Sequence, residues 1–189
     1  MPAKQPNSRM CFVCGLQNPA GLKMAIYSDV ENRQVVSTVI VPEHFQSYPG
    51  IVHGGILATM LDEVSGRAVL IDGGDENLMV TVKLEVKYRQ PTPTLTPLTV
   101  IGQVVSLSDN RAKVHGEIRL PDGTLSAEAD ALLARPPQAI RDNWENERQY
   151  WQVVPDTETR SSSATLHLSR KLYRRVLQSA GEMPDADTP

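Results

Sequence analysis

The sequence predicts an α+β domain in which a curved antiparallel sheet of about six strands wraps around one long buried helix, followed by a C-terminal tail with short helices. Three observations predict it. Two stretches of apolar–polar alternation come first, at residues 22–27 and 34–41, joined by turn-forming residues at 29–33. Residues 56–70 are then apolar on nearly every face, the mark of a helix enclosed by other structure. Four further strand-like stretches follow it, and one face of the resulting sheet must cover the helix.

The two leading stretches make a hairpin. A loop marked by Pro49 and Gly50 leads to Val52-His53-Gly54-Gly55, where the helix begins. In residues 80–88, Val80, Val82, Leu84, Val86 and Tyr88 fall on one face and Thr81, Lys83, Glu85 and Lys87 on the other, a half-buried antiparallel strand. After the proline-rich break at 91–97, residues 98–107, 113–120 and 124–134 form a meander whose last turn is Pro121-Asp122-Gly123. One sheet curled around one helix leaves the far side of the helix open, so a second copy or an added segment must close it.

This divides the chain into an N-terminal segment (1–21), a central domain (22–136) and an extension (137–189). In the extension, Leu168, Leu172 and Val176 recur at helical spacing beside Arg170, Lys171, Arg174 and Arg175. A short basic amphipathic helix is expected there, docked on its own protein or on a membrane surface or partner. The last residues, from Glu182, read as disordered.

At 189 residues the chain suits one well-buried core, and its 40% hydrophobic and 22% charged content is that of an ordinary globule. A net charge of −3 gives no electrostatic reason to expect nucleic acid. No apolar run approaches the roughly 20 residues of a bilayer span, and the first residues hold no apolar signal core, so a cytoplasmic protein is expected. Cys11 and Cys14 suit a reducing compartment as thiols, half a metal site or a redox pair.

Two carboxylates, Asp62 and Glu63, sit mid-helix, and burying an unpaired charge is costly. Glu63 has Arg67 four residues on, the favoured order for a helical ion pair. Asp62 has Ala58, Thr59, Ser65 and Gly66 as helical neighbours, so no cation on its own helix neutralises it. Either it is bonded to backbone groups across the core or it does chemistry. Ahead of it, Gly54 and Gly55 clear side chains from a helix start whose free N–H groups and dipole can polarise a carbonyl, though the pair also fits a tightly packed helix start. Gly55 and Asp62 are seven residues apart, about 10 Å along a helix axis, so one copy cannot bring both to one carbonyl. An antiparallel pair of such helices can, which asks for a homodimer, alone or as a dimer of dimers.

Val52-His53-Gly54-Gly55 with Leu61-Asp62-Glu63, then Val80-Thr81-Val82 and Tyr88-Arg89-Gln90-Pro91, resemble the hotdog-fold acyl-CoA thioesterase superfamily, most closely its phenylacetate-degradation type. The resemblance runs from about Cys11 to Arg135, and Cys11-Phe-Val-Cys14-Gly15 with Asn18-Pro19 and Gly21-Leu22 is similar to the opening of many of its members. It implies that Asp62 is the catalytic carboxylate, as base or nucleophile, and that the Gly55 N–H polarises the thioester carbonyl. It further implies that His53 positions the thioester or supports the loop, and that Thr81, from the same subunit as Asp62, orients water. By simple alternation Thr81 lies on the polar face, so either the site faces that side or a bulge re-aims the residue. Many relatives carry an Asn six residues before the His; this chain has Ser47, preceded by Gln46, so either Gln46 substitutes or activity is weak.

The expected function is hydrolysis of an acyl-CoA thioester to a free acid and coenzyme A, with no cofactor and no metal. Burial should raise the Asp62 pKa toward neutrality. Gly54, Gln46 and Ser47 would flank the substrate, and Lys87, Arg89 and, less directly, Arg111 or Arg135 could meet its phosphates. The alternative is a non-catalytic acyl-CoA binding or sensing module, against which an unpaired core carboxylate argues. A further reading makes Cys11 and Cys14 half a zinc site completed by His44 or a second subunit. The redox reading is weaker, because the Cys pair precedes a strand and not a helix N-terminus.

Overall fold

The computed structural model describes residues 2–72, 74 and 77–156. In chain order the elements are β1 (Ala3–Lys4), β2 (Tyr27–Asp29), β3 (Gln34–Ile40), α1 (Gly54–Ala68), β4 (Val80–Tyr88), β5 (Pro97–Leu107), β6 (Arg111–Arg119), β7 (Leu125–Ala134) and α2 (Gln138–Glu147). The strands make one antiparallel seven-stranded sheet in the order β1-β2-β3-β5-β6-β7-β4, with α1 against one face. This is the α+β hotdog architecture expected, with β1 as the added strand. The chain divides into two units, Met1–Val154 and Pro155–Pro189, and the architecture is that of the first. The basic helix expected around Leu168–Val176 and the tail from Glu182 lie outside the described residues. No helix among the described residues is long and apolar enough to cross a membrane.

The helix starts where His53, in an extended conformation, offers Nδ1 to the Gly55 N–H at 2.9 Å, satisfying one of the orphan donors of the first turn. Leu57, Met60, Leu61, Val64 and Ala68 recur at helical spacing and are buried against the sheet. Burying each of the larger ones contributes roughly 2 kcal/mol. Two paired glycines let the helix approach. Gly102 of β5 stands opposite Gly116 of β6, and a Cβ on Gly102 would lie 2.6 Å from the Val64 carbonyl oxygen. A Cβ on Gly116 would lie 3.2 Å from Leu61 Cδ2. The sheet therefore carries a notch for the helix backbone.

One expectation holds and two change. As expected, the sheet leaves one side of the helix open: Gly55 and Asp62 are exposed, and Ala58, Thr59 and Gly66 are only partly covered. Among the described residues, Pro6, Cys14 and Trp151 cover the helix's far side near its C-terminal end, where they meet Arg67. The strand expected over residues 22–27 forms only from Tyr27, because Lys23 takes a positive φ of 52° and breaks the extended run. Residues 22–26 instead bond to the cysteine turn and to Gln5, through Leu22 N–H to Phe12 O at 2.9 Å, Met24 N–H to Val13 O at 2.8 Å and Gln5 N–H to Ile26 O at 2.8 Å. Finally, β4 does not alternate cleanly. Its register against β7 slips at Val82, with Thr81 opposite Leu133 but Lys83 opposite Leu132.

Residues opposite one another share a face, so the slip decides what Thr81 does. Thr81 pairs with Leu133, Leu84 with Ala131, Val86 with Ala129 and Tyr88 with Ala127, and all four β7 partners are buried. The bulge thus puts Thr81 on the face toward α1 and leaves Val82, 57% exposed, outside the alternation.

Candidate active site

At the N-terminal end of α1, Tyr88 Oη donates to the Gly54 carbonyl at 2.9 Å, and a Cβ on Gly54 would lie 3.3 Å from the tyrosine ring. The strand therefore pins the first helical turn. The His53 N–H is held by the Phe45 carbonyl at 2.9 Å. Of the two glycine donors, the Gly55 N–H is taken by His53 Nδ1, whereas no described residue accepts from the Gly54 N–H. Sequence reasoning favoured Gly55 and did not foresee the histidine cap; the signal was the spacing of His53 two residues before it, an N-cap position.

Gln46 and Ser47 shape the preceding loop. Gln46 Oε1 accepts the Gly50 N–H at 2.9 Å, and the Ser47 N–H donates to Ile51 O at 2.8 Å. Both residues are exposed. The Gln46 amide is thus engaged in closing its own loop.

Two turns along the helix, Asp62 and Thr81 line one cleft of about 610 Å³, walled by Glu63, Gly66, Leu78 and Met79 and closed by Cys11, Cys14, Trp144 and Trp151. His53, Gly54 and Gly55 do not line it. A single copy accordingly separates the carboxylate and the hydroxyl from the carbonyl-polarising donors. Asp62 is exposed in a single copy.

The expected cations divide. Lys87 is exposed on the outer face of β4 opposite Glu128, beside the Tyr88 that touches Gly54. Arg89 is paired with Glu128. Arg111 begins β6 opposite Ala134, at the other end of the sheet. Arg135 donates to the Asp109 carbonyl at 2.8 Å and borders a second groove of about 570 Å³ beneath α2, also lined by Leu78, Val80, Ile140 and Trp144.

Glu63 is paired as expected, with Arg67 Nε 2.8 Å from its Oε1. What the sequence did not show is where Arg67 goes next. It is 4% exposed, donates to Pro6 O at 2.7 Å and to Cys14 Sγ at 3.0 Å, and lies 4.1 Å over the Trp151 ring. Asn7 bridges to Gln152 through backbone bonds, and Arg9 pairs with Glu147 at 2.8 Å. One buried guanidinium therefore ties the N-terminal segment, the helix and the residues after α2 together beside the cleft.

This constellation has relatives. Residues 49–127 match the thioesterase superfamily model. The match spans the helix start, Asp62 and Thr81, and so bears out the resemblance drawn from His53-Gly54-Gly55 and Asp62. The acyl-coenzyme A thioesterase THEM4 of Rattus norvegicus is 26% identical over 133 residues, covering 70% of this chain and 56% of its own length. The crystal structure of a thioesterase superfamily protein is 30% identical with a TM-score of 0.61, covering 67% of this chain and 63% of the other. A phenylacetic acid degradation-related protein from Ralstonia eutropha JMP134 is 27% identical with a TM-score of 0.54, covering 60% of this chain and 86% of its own. The chain thus spans little more than half the length of its curated thioesterase relative, and the thioesterase superfamily match stops before α2.

Proposed function

We propose that the chain hydrolyses acyl-CoA thioesters, with Asp62 as the carboxylate that activates water or attacks the carbonyl. The observation that carries this is the convergence of Asp62 and Thr81 on one cleft, made possible only by the β4 bulge. The Asp62 carboxylate takes a proton from water held by the threonine hydroxyl. The thioester name of the rat relative and the superfamily match support acyl-CoA as the substrate class.

The carbonyl is polarised at the first turn of α1, where backbone N–H groups and the positive end of the helix dipole face developing negative charge. The Gly54 N–H is available for this. The Gly55 N–H joins it when His53 turns its ring toward substrate and gives up the cap. Because Asp62 stands about 10 Å along the axis from Gly55, the reading requires a homodimer in which the helix start of one copy faces Asp62 and Thr81 of the other. The unpaired edge of β4, with Val80, Val82 and Tyr88 exposed, suits such an association. Lys87, near the helix start, is placed for the phosphates of coenzyme A.

Thiol release from short, long and aromatic acyl-CoA esters, wild type beside Asp62→Asn and Thr81→Val, tests the reading. Turnover that falls at least ~100-fold in Asp62→Asn and less in Thr81→Val supports it. Binding of coenzyme A esters without turnover in any of the three makes the chain a binding module instead.

A further inference from the structure

The cysteine turn takes no part in the thioester chemistry, yet it is built with unusual care. Cys11 Sγ, Cys14 Sγ and a carboxylate oxygen of Glu63 all lie within 4.8 Å of one another. Cys11 Sγ stands 3.4 Å from Glu63 Oε2. With Zn–S near 2.3 Å and Zn–O of about 2.0–2.2 Å in a tetrahedral site, an S···O edge comes to about 3.5 Å. That separation, spanned here by a hydrogen bond from the Cys11 thiol to Glu63, also fits two ligands of one ion.

The backbone of the turn favours a thiolate at Cys11. The Gly15 N–H closes it on Cys11 O at 2.9 Å, and the Val13 N–H points at Cys11 Sγ at 3.3 Å. A Cβ at position 15 would lie 2.4 Å from Cys11 O and 2.5 Å from Cys11 N, so only glycine permits this chelate loop. Charge also balances. Two thiolates and Glu63 total −3, and a divalent ion with the Arg67 guanidinium, bonded to both Glu63 and Cys14 Sγ, restores zero. His44, the histidine that the sequence offers to complete the pair, is not part of this cluster and packs against Phe45 with tilted rings, centroids 4.2 Å apart.

We infer that Cys11, Cys14 and Glu63 form a zinc site, with Arg67 as its charge-balancing outer partner and a fourth position open to the Asp62–Thr81 cleft. Thiolates with one carboxylate select zinc over magnesium or calcium. The ion replaces the thiol protons and clamps the N-terminal segment onto α1. The inference stands whether or not the cleft hydrolyses thioesters, because it rests on the turn and Glu63 alone.

Full-length protein purified under reducing conditions without added metal should carry about one zinc per chain by mass spectrometry of the elements. After chelator treatment, Co²⁺ titration should saturate at about one equivalent with a sulfur-to-cobalt charge-transfer band. Glu63→Gln should keep the band but weaken binding at least ~10-fold, and Cys11→Ser should lose about half its intensity. Should Cys11→Ser fail to fold, the wild-type titration and Glu63→Gln still decide. No charge-transfer band in the reduced wild type overturns the site. So does recovery of the freshly purified wild type, without zinc, as the Cys11–Cys14 disulfide, which makes the turn a redox pair.

Discussion

Replacing Arg67 by leucine strikes the point where three parts of the chain meet. The substitution keeps an apolar stem against Trp151 but strips Glu63 of its 2.8 Å partner and Pro6 O of its 2.7 Å donor. A buried pair broken on one side costs about 3–5 kcal/mol. Glu63 is 15% exposed and can recover some hydration, which favours the lower end, about 3 kcal/mol. For a chain of this length that is a fall in Tm of roughly 10 °C. Removing both partners, as Glu63→Leu with Arg67→Leu, leaves no stranded charge and should restore most of the loss. Urea unfolding with chelator present suits the measurement, because Trp151 touches Arg67 and Trp144 lies 5.0 Å from Trp151, so the chain's two tryptophans report on this node. A loss below about 1 kcal/mol, or a double variant no better than the single, would refute the claim that this pair is a buried tie.

Other perturbations probe the remaining links. Gly102→Ala places a methyl 2.6 Å from the Val64 carbonyl oxygen, and the resulting push on α1 should cost about 1–3 kcal/mol in urea unfolding. Deleting Val82 removes the bulge but keeps Thr81 opposite Leu133 on the inner face, so turnover should stay well above the level of Thr81→Val while circular dichroism keeps its sheet signal. Metal-free Cys11 should react with iodoacetamide half-maximally near pH 7 and not near 9.0, because the bond from Cys14 favours its thiolate, whereas Cys14 is pushed up by giving that bond and by burial. The sign is that of a depressed acid. The Cys11 contribution to stability is full above pH 9 and is lost as pH falls through about 7; an alkylation midpoint at 9 would remove its basis.

Much of this protein was legible along the chain. Periodicity of two and of 3.6 marked the hairpin, the helix and the meander, since those periods follow from backbone geometry and hold wherever one face is buried. The spacing of Gly55 and Asp62 set them about 10 Å apart along one helix by rise per residue alone. The Glu63–Arg67 pair, likewise, is a property of one helix. What lay beyond the sequence was every fact that depends on distant residues meeting. Alternation assigned Thr81 to the polar face, and only pairing with β7 showed the extra residue that reverses it. A positive φ at Lys23 cut short a strand that local pattern favoured. Apolar composition marked α1 as a core helix, but which side the sheet leaves open is a property of what packs against it, and Asp62 lies on that side. The residues near the chain's start and those after α2, some 140 positions apart in sequence, close on Arg67 because a buried guanidinium needs acceptors, and no local rule says which segment will bring them.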